Sequence, residues 1–255
     1  MEQIEVESLT SVELDDPVLV EGLPGVGLVG KLAVDHLVSE LESEPIRRIY
    51  SEHLPPAVSV DEEGTATLTS LTLHAVDADE QDLLVLAGEG QAQDEIGQYR
   101  LANAVVGLAE QFDVSEILTL GGYGTGEQID EYGVVGAVPD QNSPLKEQLA
   151  ESGVVFGEED APGSIVGMSG LLVGLGDRQG FETAGLLGRT PGFHVDPGSA
   201  RAVLEVLQDA YGFSVSLDTL TDQAEEVQEL LEKVQQAQQS EPSPSGAGEN
   251  LRYIG

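Results

Sequence analysis

Gly22, Gly25, Gly27 and Gly30, followed at once by Lys31, form the stretch of this chain best suited to chemistry. Gly25-x-Gly27-x-x-Gly30 fits the fingerprint in which a tight backbone turn cradles a dinucleotide pyrophosphate. Gly25-x-x-x-x-Gly30-Lys31 fits most of a phosphate-binding loop, but Leu32 stands where a Ser or Thr hydroxyl is needed on Mg²⁺. Roughly 20 residues on, where an acid is expected to meet a ribose, the chain carries Arg47 and Arg48. A second glycine cluster, Gly121-Gly-Tyr-Gly-Thr-Gly126, also follows an apolar run. Together the two clusters predict a crevice of backbone N–H groups suited to an anion, with Gly25, Gly27, Gly30, Lys31, Gly122 and Gly124 as its candidate residues. The competing reading is structural: dense glycine lets a first helix pack closely on a sheet.

Other chemistry is thin. Gly167-Met-Ser-Gly170 is similar to part of a nucleophile elbow, yet Leu171 replaces its last glycine. His36, His53, His74 and His194 form no cluster at metal-ligand spacing. Cysteine is absent, which excludes disulfides and thiolate sites. Acids are so frequent that no carboxylate pair stands out. No catalytic residue, metal or cofactor is assigned, and the protein is read as a non-enzyme.

The elements that must position these residues follow from hydrophobic pattern. Val18–Glu21, Leu83–Ala87 and Glu116–Leu120 are short apolar runs typical of buried parallel strands. Helices are predicted at Val26–Glu40, Ile96–Phe112, Ser143–Ser152, Ser164–Gly174 and Ser199–Tyr211, with further strands at Pro45–Ser51, Tyr132–Val138 and Phe181–Leu187. Ser143 is placed as a helix cap with Pro144 in the first turn. Ala57–Asp61 and Thr65–Leu73 flank Gly64 as a hairpin. Alternating strand and helix predicts a three-layer α/β fold of Rossmann-like form, with a mostly parallel sheet covered on both faces. Residues 1–216 make that domain. From 217 to 238, Leu217, Leu220, Ala224, Val227, Leu231 and Val234 form an a/d seam. It packs on its own domain or on a neighbouring subunit, and the narrow stripe favours the subunit interface, with Leu220, Val227, Leu231 and Val234 as the oligomer contacts. Residues 239–255 read as a Pro/Ser/Gly linker ending in Leu251-Arg-Tyr-Ile-Gly255.

Charge narrows the partners. Asp and Glu total 47 against 10 Lys and Arg, a net −37 over 255 residues, with acids spread along the chain. The lysines are Lys31, Lys146 and Lys233. Such a surface excludes nucleic-acid binding through basic patches and predicts adaptation to high salt, hence a halophilic source. No run is long enough to span a bilayer and no cationic leader is seen, so a cytoplasmic protein away from membranes is expected.

Glu21-Gly-Leu-Pro-Gly-Val-Gly-Leu-Val-Gly-Lys31 resembles the opening motif of the PAC2 family, the archaeal proteasome assembly chaperones. Tyr50-Ser-Glu-His-Leu-Pro-Pro56, Leu118-Thr-Leu-Gly-Gly-Tyr-Gly-Thr-Gly126, Gly163-Ser-Ile-Val-Gly-Met-Ser-Gly-Leu-Leu172 and Ala184-Gly-Leu-Leu-Gly-Arg-Thr-Pro191 resemble further family segments in the same order. The resemblance spans about Val18 to Leu231. It implies a homo-oligomeric binding protein whose partners are proteasome α subunits or assembly intermediates. It also implies a terminal hydrophobic-Tyr-any docking motif. Here Tyr253 stands one place early and Arg252 occupies the hydrophobic position, leaving Leu251, Tyr253, Ile254 and Gly255 as the tail's candidate contacts. The alternatives are a nucleotide- or other anion-binding small-molecule protein using residues 22–31 and 121–126, and a structural oligomer with another partner.

Overall fold

A computed structural model describes residues 4–60, 63–79, 81–129, 131–141, 143–157 and 163–239. In chain order the elements are β1 (Ile4–Ser8), β2 (Val18–Glu21), a single 3-10 turn (Val26–Leu28), α1 (Val29–Glu40), β3 (Glu42–Ser51), β4 (Val58–Val60), β5 (Ala66–Leu68), β6 (Leu71–Ala78) and β7 (Gln81–Gly88). There follow α2 (Glu95–Gln111), β8 (Glu116–Gly124), β9 (Val134–Ala137), α3 (Pro144–Glu151), β10 (Val155–Phe156), α4 (Gly167–Gln179), β11 (Glu182–Thr190), α5 (Pro197–Tyr211) and α6 (Leu220–Gln239).

Nine strands join in the order β1-β3-β6-β7-β2-β8-β11-β9-β10. The four-strand centre, β7-β2-β8-β11, is parallel throughout. The flanks are not: β1–β3, β3–β6, β6–β7 and β9–β11 pair antiparallel. The sheet is therefore mixed, rather than mostly parallel as the alternation of elements predicted. The cause is local. Apolar runs mark burial, not direction, and a tight turn at Asp79, with φ +59°, folds β6 straight back onto β7. The predicted Thr65–Leu73 strand is two pieces. Its first part pairs with β4 in a separate two-stranded sheet, and its second begins β6 in the main one.

Three layers result. On one face α1, α3, α5 and the start of α6 cover Val18, Val20, Val85, Leu118 and Leu186. On the other, α2 and α4 cover Leu19, Leu84, Leu86 and Ile117. Alternate residues of β2 thus feed two cores, which is why all four of its residues are buried. Burying each such Leu or Val contributes about 1.5–3 kcal/mol.

Helix ends follow sequence chemistry. Asp94 accepts from Gly97 N at 2.9 Å, and Asp196 accepts from Ser199 N at 3.1 Å ahead of Pro197. Gly180 and Gly212 close α4 and α5 in the left-handed region. Ser143 does occupy the cap position of α3, but its hydroxyl donates to Glu182 at 2.5 Å instead of accepting from the helix.

Candidate functional site

The two glycine clusters meet. The loop after β2 and the last residues of β8 bound a crevice of 620 Å³ at the C-terminal end of the parallel strands, where open α/β sheets admit ligands. Leu23, Pro24, Gly25 and Val26 form one side, and Leu120–Gly124 the other. Ser164–Gly167 and Ser169, leading into α4, close it together with Gln91 and Gln98. Among the described residues lining it, none carries a charge.

Close packing explains several of the glycines. A Cβ on Gly30 would stand 2.2 Å from Leu120 O, and one on Gly122 would stand 2.2 Å from Val26 O. Gly27, with φ +62°, faces Thr190 and accepts at its carbonyl from Asp196 N at 3.0 Å. Gly25, Gly122 and Gly124 line the crevice, whereas Gly27, Gly30 and Lys31 do not. Lys31 is buried on α1, where its ammonium lies 2.8 Å from both Asp35 and Glu89. Burial alone would lower its pKa; the two carboxylates outweigh that and leave it raised. The cation expected to face an anion is thereby engaged elsewhere, beside a smaller polar cleft of 320 Å³ lined by Asp35, Arg48, His74 and Glu89.

Behind the crevice lies a group that sequence reasoning missed. Glu21 ends β2 with its side chain fully buried. One carboxylate oxygen accepts from Leu23 N at 3.1 Å, and the other from Ser169 Oγ at 2.9 Å. Burial pushes its pKa from 4.5 up to about 7, and the two hydrogen bonds oppose the shift only in part. An acid closing a buried apolar strand directly before a glycine turn was the available signal. Ser169 lies within the first turns of α4 rather than on a strand-to-helix elbow, and its proton is directed at Glu21. Gln91 ties the same wall together: its amide nitrogen donates to Pro24 O at 2.8 Å, and its oxygen accepts from Met168 N at 3.3 Å.

Two lining residues are apolar and exposed: Val166 at 80% and Val26 at 46%. Phe193, in the loop after β11, is 75% exposed, and Ile96 and Tyr99 are exposed on the first turns of α2. The β4–β5 hairpin, at the same end of the sheet, exposes Val58, Val60 and Leu68. Elsewhere, α6 spends the start of its seam on its own domain. Leu220 and Ala224 are buried in the α1–α5 core, and Val227 is packed against it. The side chains of Leu231 and Val234 lie outside the described residues, as do Leu251, Tyr253, Ile254 and Gly255. Among the described residues, no three His, Asp or Glu could hold a metal ion, and no helix is long and apolar enough to cross a membrane.

An α/β protein with a glycine-built crevice, uncharged among its described lining residues, is a class that comparison narrows further. The PAC2 family model matches residues 19–235, and the chain belongs to that family. It is 33% identical over 246 residues to an uncharacterized protein of Methanocaldococcus jannaschii, covering 95% of this chain and 93% of that one. Its fold is similar to that of Pyrococcus furiosus PbaB, an archaeal proteasome activator, with TM-score 0.81 and 32% identity over 92% of this chain and all of that one. Pyrococcus furiosus PbaA, an archaeal homolog of proteasome-assembly chaperone, matches with TM-score 0.74 and 27% identity over 93% of this chain and 94% of that one.

Proposed function

We propose that this protein is a non-enzymatic, chaperone-like binding protein that acts on proteasome α subunits or their assembly intermediates as a homo-oligomer. The observation that carries the reading is the apolar end of the sheet. A chain of net charge −37 exposes Val26 and Val166 on a crevice whose described lining carries no charge, and exposes Phe193 after β11 and Ile96 and Tyr99 on the first turns of α2. Exposed apolar surface of this kind marks a protein-binding face. The likeness to PbaA and PbaB supports the proteasome as partner. Binding acts by surface complementarity: an α-subunit face is covered until a better-matched subunit displaces the chaperone. The segment Leu251–Gly255 supplies a second, tethered contact, and Leu231 and Val234 extend the seam between protomers.

The test is co-migration with the α subunit of the same organism in molar KCl, by size exclusion with light scattering. A complex that disappears on removal of residues 251–255 supports the reading and locates the tail contact. A complex that survives the truncation keeps the chaperone and discards the tail. No complex, with a homo-oligomer alone, rejects the proteasome as partner.

The small-molecule alternative draws on the crevice itself, which the N-terminal turn of α4 lines. ATP or NAD at saturation would then raise the melting temperature. Among the described residues no cation lines the crevice, and an acid lies behind Ser169; both favour no change.

A further inference from the structure

Tyr50–Pro56, one of the stretches that resembles the family, supplies no residue to the described lining of the crevice, yet its His53 is bonded at every polar atom. The amide of His53 donates to Ser51 Oγ at 3.1 Å, and its carbonyl accepts from Gln93 N at 2.9 Å. Nδ1 lies 2.7 Å from Asp94 Oδ2, and Nε2 lies 2.9 Å from Nη1 of Arg100. The side chain is 14% exposed, and α2 rests on it: a Cβ on Gly97 would stand 2.3 Å from His53 Cβ. These contacts fix the ring's protons. A guanidinium only donates, so Nε2 accepts and is bare. A carboxylate only accepts, so the proton sits on Nδ1 and points at Asp94. Asp94 also caps α2, its other oxygen accepting from Gly97 N at 2.9 Å. The Gly97 amide and His53 hold the Asp94 carboxyl below the ordinary range, so it stays charged.

We propose that His53 is a pH-sensitive latch, tying the loop between β3 and β4 to the start of α2 and releasing Arg100 when the ring gains a second proton. The charged groups that face the ring are Asp94 and Arg100, both on the α2 side; Ser51 and Gln93 are neutral, and among the described residues no other charged group bonds to it. A proton taken from solvent onto Nε2 meets the Arg100 N–H, donor against donor and cation against cation. Arg100 then has to turn away, while Asp94 keeps its hold on Nδ1. Imidazole is the side chain whose charge ordinarily changes between pH 5 and 8, so the latch works near neutrality. The segment it holds carries two residues that line the crevice, Gln91 and Gln98, and two exposed apolar ones, Ile96 and Tyr99. Opening the latch loosens that wall. The inference concerns the chain alone and stands apart from the identity of any partner.

The test uses full-length protein in molar KCl. Nitrogen-15 NMR of the histidine rings, with His53 assigned through the backbone, is expected to show Nδ1 protonated and Nε2 bare at pH 8. That is the reverse of the tautomer free histidine favours. Hydrogen exchange read by mass spectrometry over residues 92–100, corrected for intrinsic exchange, is expected to lose about tenfold in protection from pH 8 to pH 5.5, the loss of about one good hydrogen bond. His53→Gln offers an amide that donates to Asp94 and accepts from Arg100 at either pH, so its protection should not change. Glu21→Gln should keep the parent's response, which separates the latch from the buried acid at the end of β2. An Nε2-protonated ring at pH 8, unchanged protection in the parent, or an undiminished response in His53→Gln overturns the proposal. The NMR reading needs no variant, so the proposal can still fail where His53→Gln does not fold. No proteasome subunit is present, so failure here is separate from failure of the α-subunit complex.

Discussion

Ser169 Oγ donates to the buried carboxylate of Glu21 at 2.9 Å, joining the N-terminal turns of α4 to the end of β2 across 148 residues of sequence. The contact is sensitive to pH. Glu21 binds its proton more tightly in the folded chain, with a pKa of about 7 against 4.5 for a free carboxyl. Between those values the native state holds more protons than the unfolded one, so stability falls as pH rises from 4.5 through 7 and levels off above. The interval corresponds to roughly 3 kcal/mol. Glu21→Gln removes this slope and raises the melting temperature at pH 8 relative to the parent. Melting profiles of both proteins from pH 5 to 8 in molar KCl check it; parallel profiles would show that Glu21 carries no such linkage.

Gly30 and Gly107 make opposite predictions for the same substitution. A methyl on Gly30 meets Leu120 O at 2.2 Å, backbone against backbone, so Gly30→Ala forces α1 off the sheet. A loss of about 3 kcal/mol or more is expected. Gly107, exposed in the interior of α2, has open space where its methyl would go. Gly107→Ala should gain about 0.5–1 kcal/mol. Chemical denaturation of the two variants measures both.

Lys31 stands between Asp35 and Glu89 with its side chain 9% exposed. Removing its charge leaves two carboxylates facing one another, one of them partly buried. Lys31→Met is expected to destabilise the fold by about 3 kcal/mol at neutral pH, with much of the loss recovered in the double variant Lys31→Met/Asp35→Leu. A double-mutant cycle by denaturant unfolding tests the coupling.

A net charge of −37 spread over a folded chain repels itself. At about 1 M salt the Debye length is about 3 Å and the repulsion is screened. The melting temperature should therefore climb steeply between low and molar KCl. Equal melting temperatures at the two salts reject adaptation to high salt.

Much of this architecture is legible in the sequence because its signals are local. The apolar run Val18–Glu21, the glycine turn, and the Asp196-Pro197 helix start each need only neighbouring residues. Pairing direction is not local. His74–Ala78 continues β6 without a clear alternation, and the turn at Asp79 gives no glycine to announce it. The site divides the same way. The glycines that line it were visible as a motif, and their convergence follows from the strand order. That Lys31 turns to Asp35 and Glu89, and that Glu21 meets Ser169, depends on packing between distant segments.

The scarcity of lysine governs how any complex of this protein can be mapped. Lys31 has its nitrogen held between two carboxylates. Lys146 lies on α3, over the Phe156 ring, and Lys233 on α6. α3 belongs to the α1–α5 side of the sheet, away from the α2–α4 side that helps close the crevice, and the first turns of α6 dock on the α1–α5 side too. Amine-directed cross-linking through Lys31 or Lys146 will therefore report little from the crevice face. Carboxyl-directed reagents, with 47 targets, have the opposite problem of abundance, but Glu89 and Glu127 place handles on loops at the crevice end.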